Sequence, residues 1–419
     1  MSKLKLKYLA ITLLLLAWIS TEIRAQEANL NSLHTEDYRI NPENTGNLFL
    51  SIDNTSFFRN VETDGDIYEG YTLPGFRLTP RLILYPASIV KLEAGVSLLK
   101  FWGAEKYPCY AYQGISEWKA DNYQYGMRFL PFFRAQIQPS KQLSIVLGNI
   151  YGGSNHDIIE PLYMSELNYN ADPECGLQIL YRSKIAKADV WINWENFMFK
   201  NDTHQEVMSV GGSAALNITP ENSFFHLSLP AQLIATHHGG ELKAVDEKVT
   251  TVYNATTGLK FQFNTNRLLR NISLQSMGVS YRCIDNPEKY HFPEGWGLYT
   301  NLTAQIWNTK IKAAWWRSQD FINLFGNPVF QNTSMSLPEY NRIFPKIDVF
   351  NLGVSYEQKF GNGIHLGADL DYYYNPKLTA YDLAYSGYST PAKISKSFNY
   401  SFGVYIRINP SILLKENTF

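Results

Sequence analysis

Cysteine is scarce in this sequence. Cys109, Cys175 and Cys283 are the three in 419 residues, too few to staple a chain of this length, and the odd number leaves at least one unpaired within it. A Cys109–Cys175 bridge stays open, because an exported protein permits a disulfide without requiring one. Charge is sparse as well, at 18 % of residues. Past Ile23 there is no apolar run long enough to cross a membrane as a helix. No internal repeat of blade length appears, which argues against a propeller. A basic surface is missing too: setting aside residues 1–25 leaves 33 basic and 37 acidic residues, a poor match for a nucleic-acid partner.

Aromatic residues, by contrast, are plentiful, with 28 Tyr, 24 Phe and 9 Trp. The chain opens like an export signal: Lys3, Lys5 and Lys7, then an apolar stretch from Leu9 to Ile19, then Ile23-Arg24-Ala25 before Gln26. Residues 1–25 therefore read as a cleavable signal peptide. No Cys follows the apolar stretch, so a lipoprotein anchor is not expected. An exported, aromatic-rich chain without helical spans is either a soluble β-rich protein or a membrane barrel.

Alternation favours the barrel. Near the end of the chain Phe398, Tyr400, Phe402, Val404, Ile406 and Ile408 share one strand face, and Asn399, Ser401, Gly403, Tyr405, Arg407 and Asn409 share the other. The same grammar recurs around residues 95, 229, 352 and 368, in runs longer than the strands of most soluble sheets. Sixteen strands are expected, at 45–57, 72–87, 89–103, 123–138, 141–152, 174–183, 188–198, 205–219, 222–237, 249–264, 270–283, 295–308, 309–319, 346–359, 363–376 and 396–412. Short turns alternate with long links at 58–71, 104–122, 153–173, 238–248, 284–294, 320–345 and 377–395. Short periplasmic turns and long outer loops are the habit of outer-membrane barrels. Lipid cannot satisfy a free sheet edge, so the first and last strands must pair. The fold class is all-β, a single closed antiparallel transmembrane β-barrel at 45–419, preceded by a short periplasmic segment at 26–44. Trp296, Tyr372, Tyr374, Phe398 and Tyr400 fall at outer strand ends, and Tyr85, Phe263 and Tyr356 at inner ones, as interfacial rings should.

Ser401, Gly403, Ile406 and Ile408, with Phe419 as a terminal aromatic, resemble the C-terminal assembly signal of Gram-negative outer-membrane proteins. The match departs from that pattern in one respect, since Asn409 to Phe419 follow Ile408. The resemblance implies recognition by the barrel-insertion machinery and residence in outer-membrane lipid. It names no substrate.

If the apolar faces meet lipid, the other faces line the lumen. Inward charges are then Arg77, Arg81, Lys91, Glu93, Arg128, Arg134, Asp189, Glu195, Lys260, Lys310, Lys312, Glu357, Asp369, Asp371 and Arg407, tolerable in a wet interior or as pairs. Basic residues crowd strands two to four and acids the fourteenth and fifteenth. This suggests either a transverse field across a water-filled channel or a set of salt bridges that stiffen the barrel. Loop 153–173 is long enough to fold inward as a constriction.

His226 and Ser228 form a His-x-Ser pair that resembles the outer-membrane phospholipase arrangement. Leu227 and Leu229 take the lipid face, however, so the pair points into the lumen. Glu62, Asp64, Asp66 and Glu69 read as a solvated acidic loop, and His237-His238 with Glu241 lack the spacing of a zinc site. The expectation is a porin-like passive diffusion channel for small polar or charged solutes, without catalysis, metal or cofactor. A rival reading is a loop-closed barrel serving as an interaction subunit of an envelope complex, or a homo-oligomer. Bulky Trp191, Tyr373 and Tyr405 in the lumen support that reading, as do Tyr107, Tyr110, Tyr112, Trp118, Phe321, Phe325, Phe330 and Tyr340 in the loops.

Overall fold

The computed structural model describes residues 33–102, 127–197, 205–239, 248–265, 267–335, 342–382 and 391–416. The expected signal peptide, Cys109, Glu241, Phe419 and the loop aromatics Tyr107, Tyr110, Tyr112, Trp118 and Tyr340 lie outside them.

The strands, in order, are β1 (Leu48–Glu62), β2 (Tyr71–Ala87), β3 (Val90–Phe101), β4 (Arg128–Ile137), β5 (Leu143–Asn149), β6 (Cys175–Arg182), β7 (Ala186–Asn196), β8 (Val207–Asn217), β9 (Phe225–His238), β10 (Thr250–Asn264), β11 (Leu269–Cys283), β12 (Glu294–Ile306), β13 (Thr309–Gln319), β14 (Arg342–Ile343), β15 (Lys346–Gly361), β16 (Ile364–Asp382), β17 (Lys393–Ile408) and β18 (Ser411–Lys415). Every sequential barrel pair is antiparallel, and the wall is a closed sixteen-strand barrel. The short β14 is a rim addition on β16, pairing Arg342 with Asp382.

Closure differs in detail from the expected single last strand. Pro410 has no N–H to give a ladder and interrupts the run, so β17 and β18 meet β1 in succession. Asn54 to Glu62 face Ile408 to Tyr400, and Leu50 and Ser51 face Ile412 and Ser411. The Pro410 carbonyl still accepts from the Ile52 amide at 3.1 Å. At the β15–β16 turn, Gly361, Asn362 and Gly363 all take positive φ, the conformation a tight hairpin of right-handed twist demands.

Alternation produces two faces, as expected. Along β17 Phe398, Tyr400, Phe402, Val404, Ile406 and Ile408 are exposed, while Asn399, Ser401, Tyr405 and Arg407 are buried. Similar exposed apolar rows on the other strands would be a liability in water and match the hydrocarbon of a bilayer. Aromatic contacts mark both ends: Tyr374 and Phe398 stack at 4.6 Å near the outer edge, and Phe49 meets Tyr85 near the inner one. Within the assembly-signal match, Gly403 has a spatial role. A Cβ there would sit 1.9 Å from the Tyr405 hydroxyl, so only glycine leaves that ring its place in the lumen.

The lumen is the core. Loop 153–173 does fold inward, burying His156, Leu162, Met164, Glu166, Leu167 and Tyr169. A second link, 320–335, enters beside it. The Met164 amide donates to the Phe325 carbonyl and the Asn327 amide to the Glu160 carbonyl, joining the two. Phe321 and Phe330, expected as exposed anchors for a partner, are instead almost fully buried against Trp316. The start of the described part of segment 26–44 is likewise tucked in: Leu33 is fully buried, and Arg407 donates to the Leu33 and Thr35 carbonyls, whereas Asn41, Pro42 and Glu43 are exposed. Residues 33–36, expected as periplasmic, lie in the barrel, and Arg407 and Asn155 satisfy backbone groups that water would otherwise take.

Candidate functional site

The inward charges named from alternation do face the lumen, and most are paired. Arg81 and Arg134 both reach Glu36, at 3.0 and 3.1 Å, and both reach Glu93, at 3.3 and 3.2 Å. Lys91 joins Glu93 at 3.0 Å and donates to the Tyr151 hydroxyl. Arg407 holds Asp53 at 2.8 Å, and Arg128 holds Asp172 at 2.6 Å. Across the lumen Lys312 bridges Glu160 and Asp371 at 2.7 and 3.0 Å. Asp369 takes Arg59 and the Tyr405 hydroxyl, and Glu357 takes His365 at 3.2 Å. The charge separation expected across the lumen is therefore largely cancelled locally, as buried ions require. Both carboxylate oxygens of Glu195 are buried without a hydrogen-bond partner. Lys260 and Lys310 face inward with partial exposure.

Several contributors were not singled out from sequence. Asp53 and Arg59 lie on the inward face of β1, where alternation with Phe58 could have found them. Arg59 meets Glu166 of the inward loop at 2.8 Å, and Tyr71 donates to the same carboxylate. Glu36 and His34 carried no periodic signal. Glu36, half-buried, is held well below the usual carboxylate range by Arg81 and Arg134 against the cost of that burial. For His34, burial and then Arg407, Arg77 and Arg59 push the pKa down to about 3, so its ring is neutral.

His156 is the best-anchored histidine of the lumen. Asp189 meets its Nδ1 at 2.7 Å and Glu174 its Nε2 at 2.9 Å, while Trp191 stacks on the ring at 3.5 Å. Gly211 on β8 makes that stack possible, since a Cβ there would collide with the Trp191 ring at 2.0 Å. Burial works against the charge, but Glu174 and Asp189 outweigh it and the pKa rises to about 9. A ring with a carboxylate on each nitrogen is already a cation and cannot serve as a general base. Asp66, one of the acids of loop 58–71, is taken by Lys393 at 2.6 Å and by Arg342.

Among His226 and Ser228, both are buried in the lumen, and His226 Nδ1 contacts the Thr219 carbonyl at 3.0 Å. That pair is remote from lipid, as expected. His237 and His238 are the last residues of β9, which runs one residue past the expected end at 237. Thr236 and Ile234 are buried, so His237 is on the opposite, outward face. Thr251 stands directly across on β10, flanked by the buried Thr250 and Val252. Its Oγ1 lies 2.9 Å from His237 Nδ1. The contact places a hydroxyl and an imidazole together on the membrane-facing side at the outer end of the wall. Arg282 of β11 faces the same way, opposite Tyr253.

Two kinds of similarity to known proteins are found. A family model described as lipid A 3′-O-deacylase-type matches residues 40–417. No curated protein is similar to the chain in sequence. Solved structures that resemble it include OpdL of Pseudomonas aeruginosa, with 10 % identity, a TM-score of 0.46, and 88 % of this chain and 99 % of that one covered. An anion-selective porin from Comamonas acidovorans shows 12 % identity and a TM-score of 0.44, over 86 % of this chain and 98 % of that one. OmpT, an outer membrane protein of Vibrio cholerae, shows 9 % identity and a TM-score of 0.45, over 86 % and 99 %. The family match corrects the expectation that this barrel performs no catalysis, because the family is one of enzymes. Composition and alternation could not reveal this, since they report where a strand sits and not what its rim residues do.

Proposed function

Because the chain belongs to the lipid A 3′-O-deacylase-type family, we propose that this outer-membrane barrel hydrolyses an acyl ester of a lipid A-type lipid in the outer leaflet. One observation carries the placement of the chemistry: the 2.9 Å contact between His237 Nδ1 and Thr251 Oγ1 on the membrane-facing side. An ester at the boundary of headgroup and acyl chains never enters the lumen, so its nucleophile must face lipid near the outer edge. The lumen pair His226 and Ser228 fails that condition.

In this reading the Thr251 hydroxyl adds to the ester carbonyl carbon while His237 Nδ1 takes its proton. The sugar oxygen then leaves with that proton, and water releases the acyl group from Thr251 by the same route. Arg282, outward on the neighbouring strand, supplies a cation at the depth of an anionic headgroup.

The test is acyl loss from lipid A presented in mixed micelles to the purified, folded barrel, read by mass spectrometry. His237→Gln is expected to slow the reaction by about 10²–10⁴, the usual weight of a positioned base, and Thr251→Val, which removes the nucleophile, by at least as much, while Ser228→Ala leaves it unchanged. Full activity in both rim variants would remove the site, and an inert native barrel would remove the reaction.

A further inference from the structure

The outward face of the β16–β17 pair carries charge of one sign near its outer end. Asn375 pairs with Ser397 and Leu378 with Ser395, so Pro376 and Lys377 of β16 stand against the single Lys396 of β17. This is a β-bulge, and Pro376, with no N–H to give, suits it. Asn375, Leu378 and Ser397 are buried while Lys377 and Lys396 are exposed, which puts both lysines on the outward side of the wall. Among the described residues neither lysine has an ion pair or hydrogen bond.

The carboxylates around them are taken or stand elsewhere. On β15 the outward Asp348 is held by Arg317 at 3.0 Å and by Trp315 Nε1 at 3.2 Å. On β1 Glu62 accepts from Asn60 and lies opposite Tyr400, and Lys396 stands farther out on β17 than that row. Asp66 has Lys393, and Asp382 lies across from Arg342. The link 383–390 between the two strands contains no charged residue. Like charges set directly opposite on neighbouring strands are destabilising until an anion comes between them.

The floor beneath the lysines is aromatic. Tyr374 and Phe398 stack at 4.6 Å, and Tyr372 meets Phe398 at 6.1 Å. Rings of this kind mark the boundary between acyl chains and headgroups, so the lysines just above them stand at headgroup depth. A ligand that fits both halves has an anionic head and acyl chains. Lysine binds phosphate as a compact point charge.

We propose that Lys377 and Lys396 clamp a phosphate of a lipid A-type glycolipid in the outer leaflet, over the Tyr374–Phe398 stack. The clamp shares the class of lipid with the ester reading, but it lies on a different strand pair from His237 and Thr251 and takes no part in that chemistry.

The test is native mass spectrometry of the folded barrel carrying His237→Gln, in micelles with diphosphoryl lipid A, its dephosphorylated form or phosphatidylglycerol. Binding is read without turnover, so failure of the ester reading and failure of this site are seen separately. Diphosphoryl lipid A should be retained in preference to the dephosphorylated form. Adding Lys377→Gln and Lys396→Gln together should weaken its binding about thirtyfold, the weight of two lysines at an anionic membrane surface, and leave the dephosphorylated form unaffected. Should that variant fail to fold, either lysine substitution alone is expected to cost about fivefold. Equal retention of the phosphorylated and dephosphorylated forms overturns the clamp, as does unaltered binding in the lysine variants. Phosphatidylglycerol held as tightly as diphosphoryl lipid A overturns it too.

Discussion

At the scale of single residues, His156 shows how burial and charge compete. Taken alone, burial would leave this ring neutral; two carboxylates make it a cation with a pKa of about 9. A histidine raised above its unfolded value of 6.5 contributes stability that is full below pH 6.5 and is lost as pH climbs through about 9. The interval corresponds to about 3 kcal/mol. Urea unfolding at pH 6 and pH 9.5 should therefore show the native barrel markedly weaker at the higher pH. His156→Gln should be weaker at pH 6 and nearly flat between the two. Sequence showed His156 only as part of a long loop. Nothing in its spacing ties it to Glu174 and Asp189, because the contact exists only once the loop has turned inward.

Among elements, the strands were readable and the segments inside them were not. Period-two alternation placed the sixth and eleventh strands, at 174–183 and 270–283, close to Cys175–Arg182 and Leu269–Cys283, since one face must meet lipid along the whole span. The N-terminal segment has no such constraint. It is held by distant partners: Asn155 bonds both the amide and the carbonyl of Glu36, Gln136 donates to the Tyr38 carbonyl, and Gln138 accepts from the Ile40 amide. Its titration has a definite sign. Folding depresses the pKa of His34 from 6.5 to about 3, so docking is full above pH 6.5 and weakens as pH falls towards 3. Glu36, also depressed, acts in the same direction at the acid end. Hydrogen exchange over 33–40, corrected for intrinsic rates, should show protection falling about fiftyfold between pH 6.5 and pH 4.5. His34→Asn should flatten that profile.

For the molecule as a whole, the expected sixteen-strand wall is present, and the bore it would enclose is occupied. Trp191, Tyr373 and Tyr405 meet the inward loops rather than a water column: Trp191 lies on His156, Tyr373 donates to Glu160, and Tyr405 contacts Tyr169. Diffusion through a barrel of this size needs a continuous wet path. Planar-bilayer recordings of the native barrel should thus lack large steady steps, and replacing 157–171 with a short Gly-Ser linker should produce them. Porin-sized steps from the native protein would count against a filled lumen. The seam has a last consequence, one of timing. Because β1 is zipped to β17 and β18, the first wall strand waits for the final two before the ring can shut. Arg407 of β17 also donates to the Leu33 and Thr35 carbonyls, so the strand that shuts the ring brings with it the anchor of the N-terminal segment, and the two ends of the chain lock together in one place.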